Sequence, residues 1–184
     1  MNKDIIGRIK EQETLLRLMD SGESEFIAIY GRRRVGKTFL VRKLLSDQFS
    51  FYVTGMDNVN MQDQLLNFTL ELRKFSGKDV SVPENWLYAF EILSQYLESL
   101  PDGKKIIFMD ELPWMDTPKS NFVSALEHFW NSWASARSDI KLIVCGSATS
   151  WMIDKLINNR GGLHNRLTHR MPIEPFTLQE CKQY

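Results

Sequence analysis

Apolar and polar positions follow two rhythms along this chain. From Phe26 onward, short apolar runs alternate with segments whose apolar residues recur every three or four positions, the signature of a parallel sheet covered by helices. The first helical pattern covers about residues 8–20, with Leu15, Leu16, Leu18 and Met19. It is expected to stop at Ser21-Gly22, the glycine supplying the terminating conformation. "FIAIY" follows as a strand. Residues 37–46 place Phe39, Leu40, Val41, Leu44 and Leu45 at helical spacing, and the aromatic, β-branched "FSFYVTG" suits a second strand.

Two further helices are expected over about residues 60–75 and 84–100, the latter gathering Trp86, Phe90, Leu93 and Leu97 on one face. "KKIIFMDELPW" and "IKLIVCGSATS" read as strands buried on both faces. Between them a helix over about residues 120–136 aligns Phe122, Leu126, Phe129, Trp130 and Trp133, a stripe that reads as core packing. A last strand is expected in "THRMPIEPF". "TLQE" then matches a capping box that opens a helix, and the chain stops at Tyr184 barely two turns later. The pattern therefore divides into a core over residues 1–176 and the start of a truncated helix over 177–184, as in a fragment cut where another domain begins.

Composition narrows the function. The 184 residues, 43% of them hydrophobic, suffice for one domain. Lys plus Arg and Asp plus Glu number 23 each, so no global field favours polyanions and any basic site must be local. Cys145 and Cys181 show no ligand spacing, which argues against a structural metal or a disulfide framework. The charged start, "MNKDIIGRIKEQE", lacks the apolar stretch of a secretion signal; the expectation is a soluble, cytoplasmic chain without membrane contact.

The chemistry centres on "GRRRVGKTFL". Gly31, Gly36, Lys37 and Thr38 fit G-x-x-x-x-G-K-[ST] between an expected strand and an expected helix. Backbone N–H groups and the positive end of a helix dipole then converge on one point, which suits a polyphosphate. Lys37 would reach the β and γ phosphates, and the Thr38 hydroxyl would hold Mg²⁺. Asp110, at the end of "IIFMD", is the second magnesium-side residue, on a strand expected to lie beside the P-loop strand. Glu111 is placed to polarise a water for in-line attack. Ser147 is the candidate for contact with the γ phosphate or that water, and Thr149 is the alternative, as a cap for the helix "SWMIDKLI". "NNRGGLHNRLTHR" offers Arg160, Arg166 and Arg170, with His164 and His169 and no acid, as candidate arginine fingers.

Arg32, Arg33 and Arg34 occupy the variable positions of the loop, where side chains radiate outward. They read as a solvated rim, or as partners of acids near Asp116. No aromatic residues interleave with these charges in sequence, so a base-stacking platform is not indicated.

Taken together, "IIGR", "GRRRVGKT", "IIFMDELPWM", "CGSATSWM" and "NRLTHRMPIEPF" resemble the archaeal-type ATPases of the AAA-like, signal-transducing branch of P-loop NTPases, nearly from end to end. The resemblance implies an α/β, three-layer P-loop NTPase core with a five-stranded parallel sheet in the order 5-1-4-3-2. It further implies that ATP and Mg²⁺ are the ligands, with Ile6, Gly7 and Arg8 near the adenine. Gly31, Arg34, Val35, Gly36, Lys37, Thr38 and Phe39 complete the nucleotide contacts. In the same likeness Ser147 is sensor-like, and Arg166 or Arg170 is the finger. Relatives continue into a winged-helix lid and often a nuclease-like domain, so a lid and an effector are the implied partners beyond this chain. ATP is favoured over GTP also because no NKxD-like guanine-reading motif is present. Three functions stay open: an ATPase switch, a nucleic-acid-binding module with ATP secondary, and an ATP-binding scaffold without turnover. A homo-oligomer is open as well.

Overall fold

The computed structural model describes residues 5–158, 165–176 and 178–181. Helix α1 (Ile9–Met19) precedes strand β1 (Glu25–Tyr30), and α2 (Lys37–Leu45) leads to β2 (Phe49–Thr54). Helices α3 (Met61–Ser76) and α4 (Trp86–Glu98) come before β3 (Lys105–Asp110), the short α5 (Leu112–Met115) and α6 (Phe122–Ser132). Strand β4 (Ile140–Gly146) passes into α7 (Thr149–Trp151) and a π-helical stretch, Met152–Ile157; β5 (His169–Pro172) and α8 (Leu178–Cys181) complete the order.

The strands form one sheet, ordered β2-β3-β4-β1-β5, with every pair parallel. Read from the other edge, this is the 5-1-4-3-2 order that the resemblance implies. Alternation along each strand builds two cores. Phe26 and Ala28 of β1 join Phe51, Ile107, Met109, Leu142 and Val144 beneath α3, α4 and α6. Ile27 and Ile29 join Ile106, Phe108, Ile143, Cys145 and Met171 beneath α1 and α2. Both faces are covered, which explains why β3 and β4 are buried at every position.

One strand placement inferred from the residues is corrected. β3 does not lie beside β1, because β4 stands between them. Both runs are continuously apolar, so neither carries a local mark of its rank in the sheet; the packing of the crossover helices sets it.

Two helix ends differ from expectation as well. At the end of α1 the Ser21 hydroxyl, 3.0 Å from the Leu18 carbonyl, does the terminating, and Gly22 is not among the residues with positive φ. α6 stops at Ser132, leaving Trp133 half-buried beyond it; its indole donates to Glu98 Oε1 at 2.6 Å and the Arg137 guanidinium lies 4.9 Å from its ring. Phe122, Leu126, Phe129 and Trp130 are buried as core residues.

At the amino edge of the sheet, two of the charges meet a carboxylate and a third is hydrogen-bonded to neutral groups. Lys105 Nζ meets Asp139 Oδ2 at 2.8 Å, and Arg137 grips the same carboxylate through Nε and a second nitrogen, each at 2.8 Å. Lys141 donates to the Ser21 carbonyl and hydroxyl and to the Glu23 carbonyl. Among the described residues no helix is long and apolar enough to cross a membrane.

Candidate active site

The loop between β1 and α2 is shaped by two glycines. At Gly31, with φ 148°, a Cβ would fall 2.2 Å from the Ile173 carbonyl oxygen, so only glycine lets the chain leave β1 alongside the segment that follows β5. Gly36, with φ 87°, faces open space where a side chain would otherwise stand. Arg34 shares the left-handed region at φ 65°. Successive turns of this kind aim backbone N–H groups inward and side chains outward, which suits phosphate oxygens. Arg32, Arg33 and Arg34 are accordingly exposed.

Lys37, the first residue of α2, is only 5% exposed, and its ammonium donates to the Gly31 and Arg32 carbonyls at 2.9 and 2.8 Å. Those bonds hold the charge at the mouth of the loop, and better acceptors could replace them. Next to it, the Thr38 hydroxyl lies near Asp110, at the carboxyl end of β3. Asp110 is 3% exposed, and burial pushes its carboxyl above the usual range. The Glu111 amide, which donates to Asp110 at 3.0 Å, and the neighbouring Thr38 hydroxyl and Cys145 thiol oppose that shift. A hydroxyl and a single carboxylate side by side are the oxygen donors that Mg²⁺ takes when phosphates and waters fill its other positions. Among the described residues, no group of three or more His, Cys, Asp or Glu could hold a metal ion.

Glu111 leaves β3 with φ 46° and ψ 46°, a left-handed conformation that costs a non-glycine residue roughly 1 kcal/mol or more. Its Oε2 accepts from the Ser147 hydroxyl at 2.9 Å and from the Ser147 amide at 3.4 Å. Ser147 follows Gly146 at the end of β4, where a Cβ would collide with Pro113 Cδ and Met152 Sδ at 2.8 Å. That close packing brings the two strand ends together. Thr149 is the first residue of α7, and Ala148 stands at the flanking position with no side-chain cap, so the capping role expected for Thr149 is corrected.

Beside the loop lies a cavity of about 360 Å³, lined by Ile5, Ile6, Arg8, Arg34, Val35, Gly36, Phe39, Leu40, Pro175 and Phe176. Phe39 is 50% exposed there, an apolar ring open to a flat ligand. Arg8 is buried in the wall. One guanidinium nitrogen donates to the Val35 carbonyl at 3.2 Å and to the Glu174 carbonyl; the group also pairs with Glu11 and stacks 4.6 Å from the Phe176 ring. Gly7 is not among the lining residues. Its carbonyl takes the Gln12 amide at 2.7 Å, and Glu180 packs against its Cα.

Of the residues singled out in the sequence, Ile6, Arg8, Arg34, Val35, Gly36 and Phe39 line this cavity, while Lys37, Thr38, Asp110, Glu111 and Ser147 gather at the carboxyl edge. Arg166 and Arg170 do not join them. Thr168 is bonded to the start of β1 at Phe26, which puts Arg166 near the opposite edge of the sheet; Arg170 pairs with Ala28 midway along β5. Arg160 and His164 lie outside the described residues, as does Thr177, the first residue of the expected capping box. The arginine triplet makes no ion pair with Asp116 among the described residues. Arg33 instead sits 5.7 Å from the Trp114 ring, and Asp116 accepts from the Trp151 indole at 2.9 Å.

Sequence reasoning passed over Ile5, Leu40, Pro175 and Phe176 in the cavity and Cys145 beside Asp110. The clues to three of these were the "PF" that closes the last strand segment and a cysteine one residue before the strand-ending glycine.

Comparison with known proteins agrees with this geometry. An uncharacterized protein of Methanocaldococcus jannaschii is 28% identical over 179 residues, which are 97% of this chain and 38% of that protein. The chain thus spans well under half of that relative's length. An uncharacterized ATP-binding protein of the same organism is 42% identical over 43 residues, covering 23% of this chain and 73% of its own length. Among solved structures, a Walker-type ATPase of Pyrococcus abyssi superposes with a TM-score of 0.67 at 17% identity, covering 97% of this chain and 56% of its own. The ORC2 protein of Aeropyrum pernix, solved as ADPNP-ADP complexes, gives 0.66 at 17% identity, covering 98% and 53%. At such identity these likenesses speak for the fold. A family model described as an ATPase domain predominantly from Archaea matches residues 6–183, and the chain belongs to that family of ATPase domains.

Proposed function

We propose that this chain binds ATP with Mg²⁺ and hydrolyses it, serving as a nucleotide-driven switch for a domain or partner beyond it. The observation that carries this reading is the convergence of Lys37, Thr38, Asp110 and Glu111 at one end of the sheet, next to an apolar cavity. The base would lie between Phe39 and the Pro175–Phe176 wall, the phosphates on the loop amides, and Lys37 would move from the loop carbonyls to phosphate oxygens. Thr38 and Asp110 would hold the Mg²⁺, which when bound offsets charge on the phosphates.

Glu111 supplies the general base. A water held by its carboxylate attacks the γ phosphorus as the bond to the β-γ bridging oxygen breaks; the water's proton passes to Glu111, and ADP and phosphate are the products. In the switch, Arg8 is the connecting element, because one side chain touches the loop at Val35, the cavity wall at Phe176 and the segment after β5 at Glu174. Its own amide meets Glu180 of α8 at 3.3 Å. A ligand that moves Phe176 therefore pulls on the start of the next helix. Arg166 and Arg170, remote from this chain's own loop, would act as fingers only on a neighbouring copy, which makes a homo-oligomer part of the proposal.

Calorimetric titration with ATP, with and without Mg²⁺, tests the reading, followed by phosphate release. Saturable, Mg²⁺-strengthened ATP binding with turnover is the expected result. Binding without turnover would favour the scaffold, and no binding at all would remove both.

A further inference from the structure

The first residues of α4 and α6, Trp86 and Phe122, meet ring to ring at 4.8 Å, and a cavity of about 460 Å³ lies beside them at the amino ends of both helices. Asn85 caps α4, its Oδ1 accepting from the Tyr88 amide at 3.1 Å, whereas α6 begins after Asn121 with no side-chain cap. Neither helix has an acidic residue in its first turn, and no Asp or Glu lines the cavity; Glu84 and Glu127, next in the chain to Asn85 and His128, stay outside it. Two helix amino ends thus direct positive potential at one space. The buried wall carries an independent sign of a ligand. The Trp86 indole N–H and the Ser120 hydroxyl belong to side chains that line the cavity, 1% and 4% exposed, and neither has a hydrogen-bond partner among the described residues. Burying an unpaired donor is costly, and native folds leave few of them. Lys119 and Asn121, left-handed at φ 62° and 53°, hold Ser120 inward between two exposed neighbours.

At Leu87 and His128 this cavity adjoins a second, of about 300 Å³, floored by the buried Phe90 and Phe129 and flanked by Tyr88 and Trp133. The one carboxylate lining the second cavity is Glu91, so an anion is drawn to the helix ends and repelled from the groove. We propose that the paired cavities bind a small carboxylic acid with an apolar tail, its carboxylate on the Trp86 and Ser120 donors and its tail over Phe90 and Phe129. Phosphate recognition usually recruits Lys or Arg, and neither lines the two cavities; a single negative charge matches their neutral donors. Exposed Asn121, Ser124 and His128 form the polar rim through which the head enters. The site shares no residue with the cavity beside the Gly31–Gly36 loop or with Lys37, Thr38, Asp110 and Glu111, so it lies beyond the ATPase reading and its test needs no nucleotide.

The test is calorimetric titration of the whole chain with sodium octanoate, compared with acetate, octylammonium and a short peptide ending in a free leucine carboxylate. Saturable binding of one octanoate per chain is expected, about tenfold or more tighter than acetate, which lacks the tail, and octylammonium, which reverses the charge. Ser124→Glu sets a carboxylate at the rim while suiting the amino end of α6, so the fold is kept and octanoate affinity falls about tenfold or more. Ser120→Ala weakens octanoate about tenfold without lowering the thermal midpoint, because its hydroxyl has no partner to lose. No octanoate binding overturns the proposal, and so does binding that survives Ser124→Glu, which lies elsewhere. Octylammonium that binds as tightly as octanoate overturns it by making the groove merely apolar. The peptide binding where octanoate does not overturns it in favour of a chain end.

Discussion

Asp110 and Asp139 sit at opposite ends of the same sheet, and their carboxyls shift in opposite directions. Asp139 is held well below the usual carboxylate range, first by its hydrogen bonds to Arg137 and then by Lys105. Asp110 is pushed up, chiefly by burial, and the Thr38, Glu111 and Cys145 donors around it are all neutral. The amino edge thus completes its charges from within the chain, whereas the carboxyl edge keeps charges that the chain does not neutralise. Lys37 tells the same story with the opposite sign, since a buried ammonium there meets only neutral carbonyls. Lys141 at the amino edge is also held by neutral groups, but these belong to the turn before β1 and line no part of the cavity beside the Gly31–Gly36 loop, so neutral partners point to a ligand only where their loop borders that cavity.

That contrast can be broken by substitution. The largest effect expected is at Lys37→Ala. Lost charged hydrogen bonds to phosphate, at about 1.5–3 kcal/mol each, should weaken ATP binding by about 100-fold in calorimetry. The urea midpoint should move little, because no buried counter-charge is stranded. A large loss of stability with ATP affinity intact would reverse the reading of the two edges.

Next in size comes the aspartate pair. The depressed carboxyl of Asp139 contributes stability that is present above the ordinary aspartate pKa and is lost as pH falls toward the folded value. Asp139→Asn should therefore cost about 1–2 kcal/mol near neutral pH, allowing for partial exposure, and should flatten the acid limb of stability against pH. For Asp110 the sign inverts. Its raised carboxyl favours folding when protonated, and that stability is lost as pH rises through the folded value. Asp110→Asn should then raise stability near neutral pH by about 1 kcal/mol while Mg²⁺-dependent ATP binding falls. Denaturation at several pH values reads both, and equal signs for the two variants would end the comparison.

The smallest effect is expected at Arg33→Ala. Its contact with the Trp114 ring joins the loop to the segment after β3 at a solvent-exposed site, worth about 0.5–1 kcal/mol. Thermal denaturation should fall slightly and ATP affinity by less than about fivefold; a change in ATP affinity as large as that of Lys37→Ala would promote the arginine rim to the binding machinery.

How far the site was legible depends on the range of the signal. Lys37 and Thr38 were readable because a phosphate cradle is a local object, a few residues whose turns and helix start sit next to one another in the chain. Asp110 and Glu111 were readable as acids at a strand end, but not the left-handed turn between them and α5, which depends on contacts with Gly146 and Ser147 from another strand. The finger candidates show the opposite limit. Arginines without nearby acids looked poised for catalysis, yet parallel pairing of β5 with β1 sets Arg166 toward the far edge. The absence of aromatics between the arginines in sequence was likewise uninformative in space, where Trp114 lies beside Arg33 and Tyr52 lies 5.7 Å from Arg42.

The chain's own pattern determined the alternation of strands and helices, the parallel sheet buried on both faces and the phosphate loop, because each rests on residues within a turn or two of one another. Only the tertiary structure decided that β4 separates β3 from β1, that Arg8 joins the loop to Phe176, and that Ser147 grips Glu111. Those facts depend on which strand ends meet, and that is set by helices packing across the whole sheet, where no stretch of sequence records its neighbour.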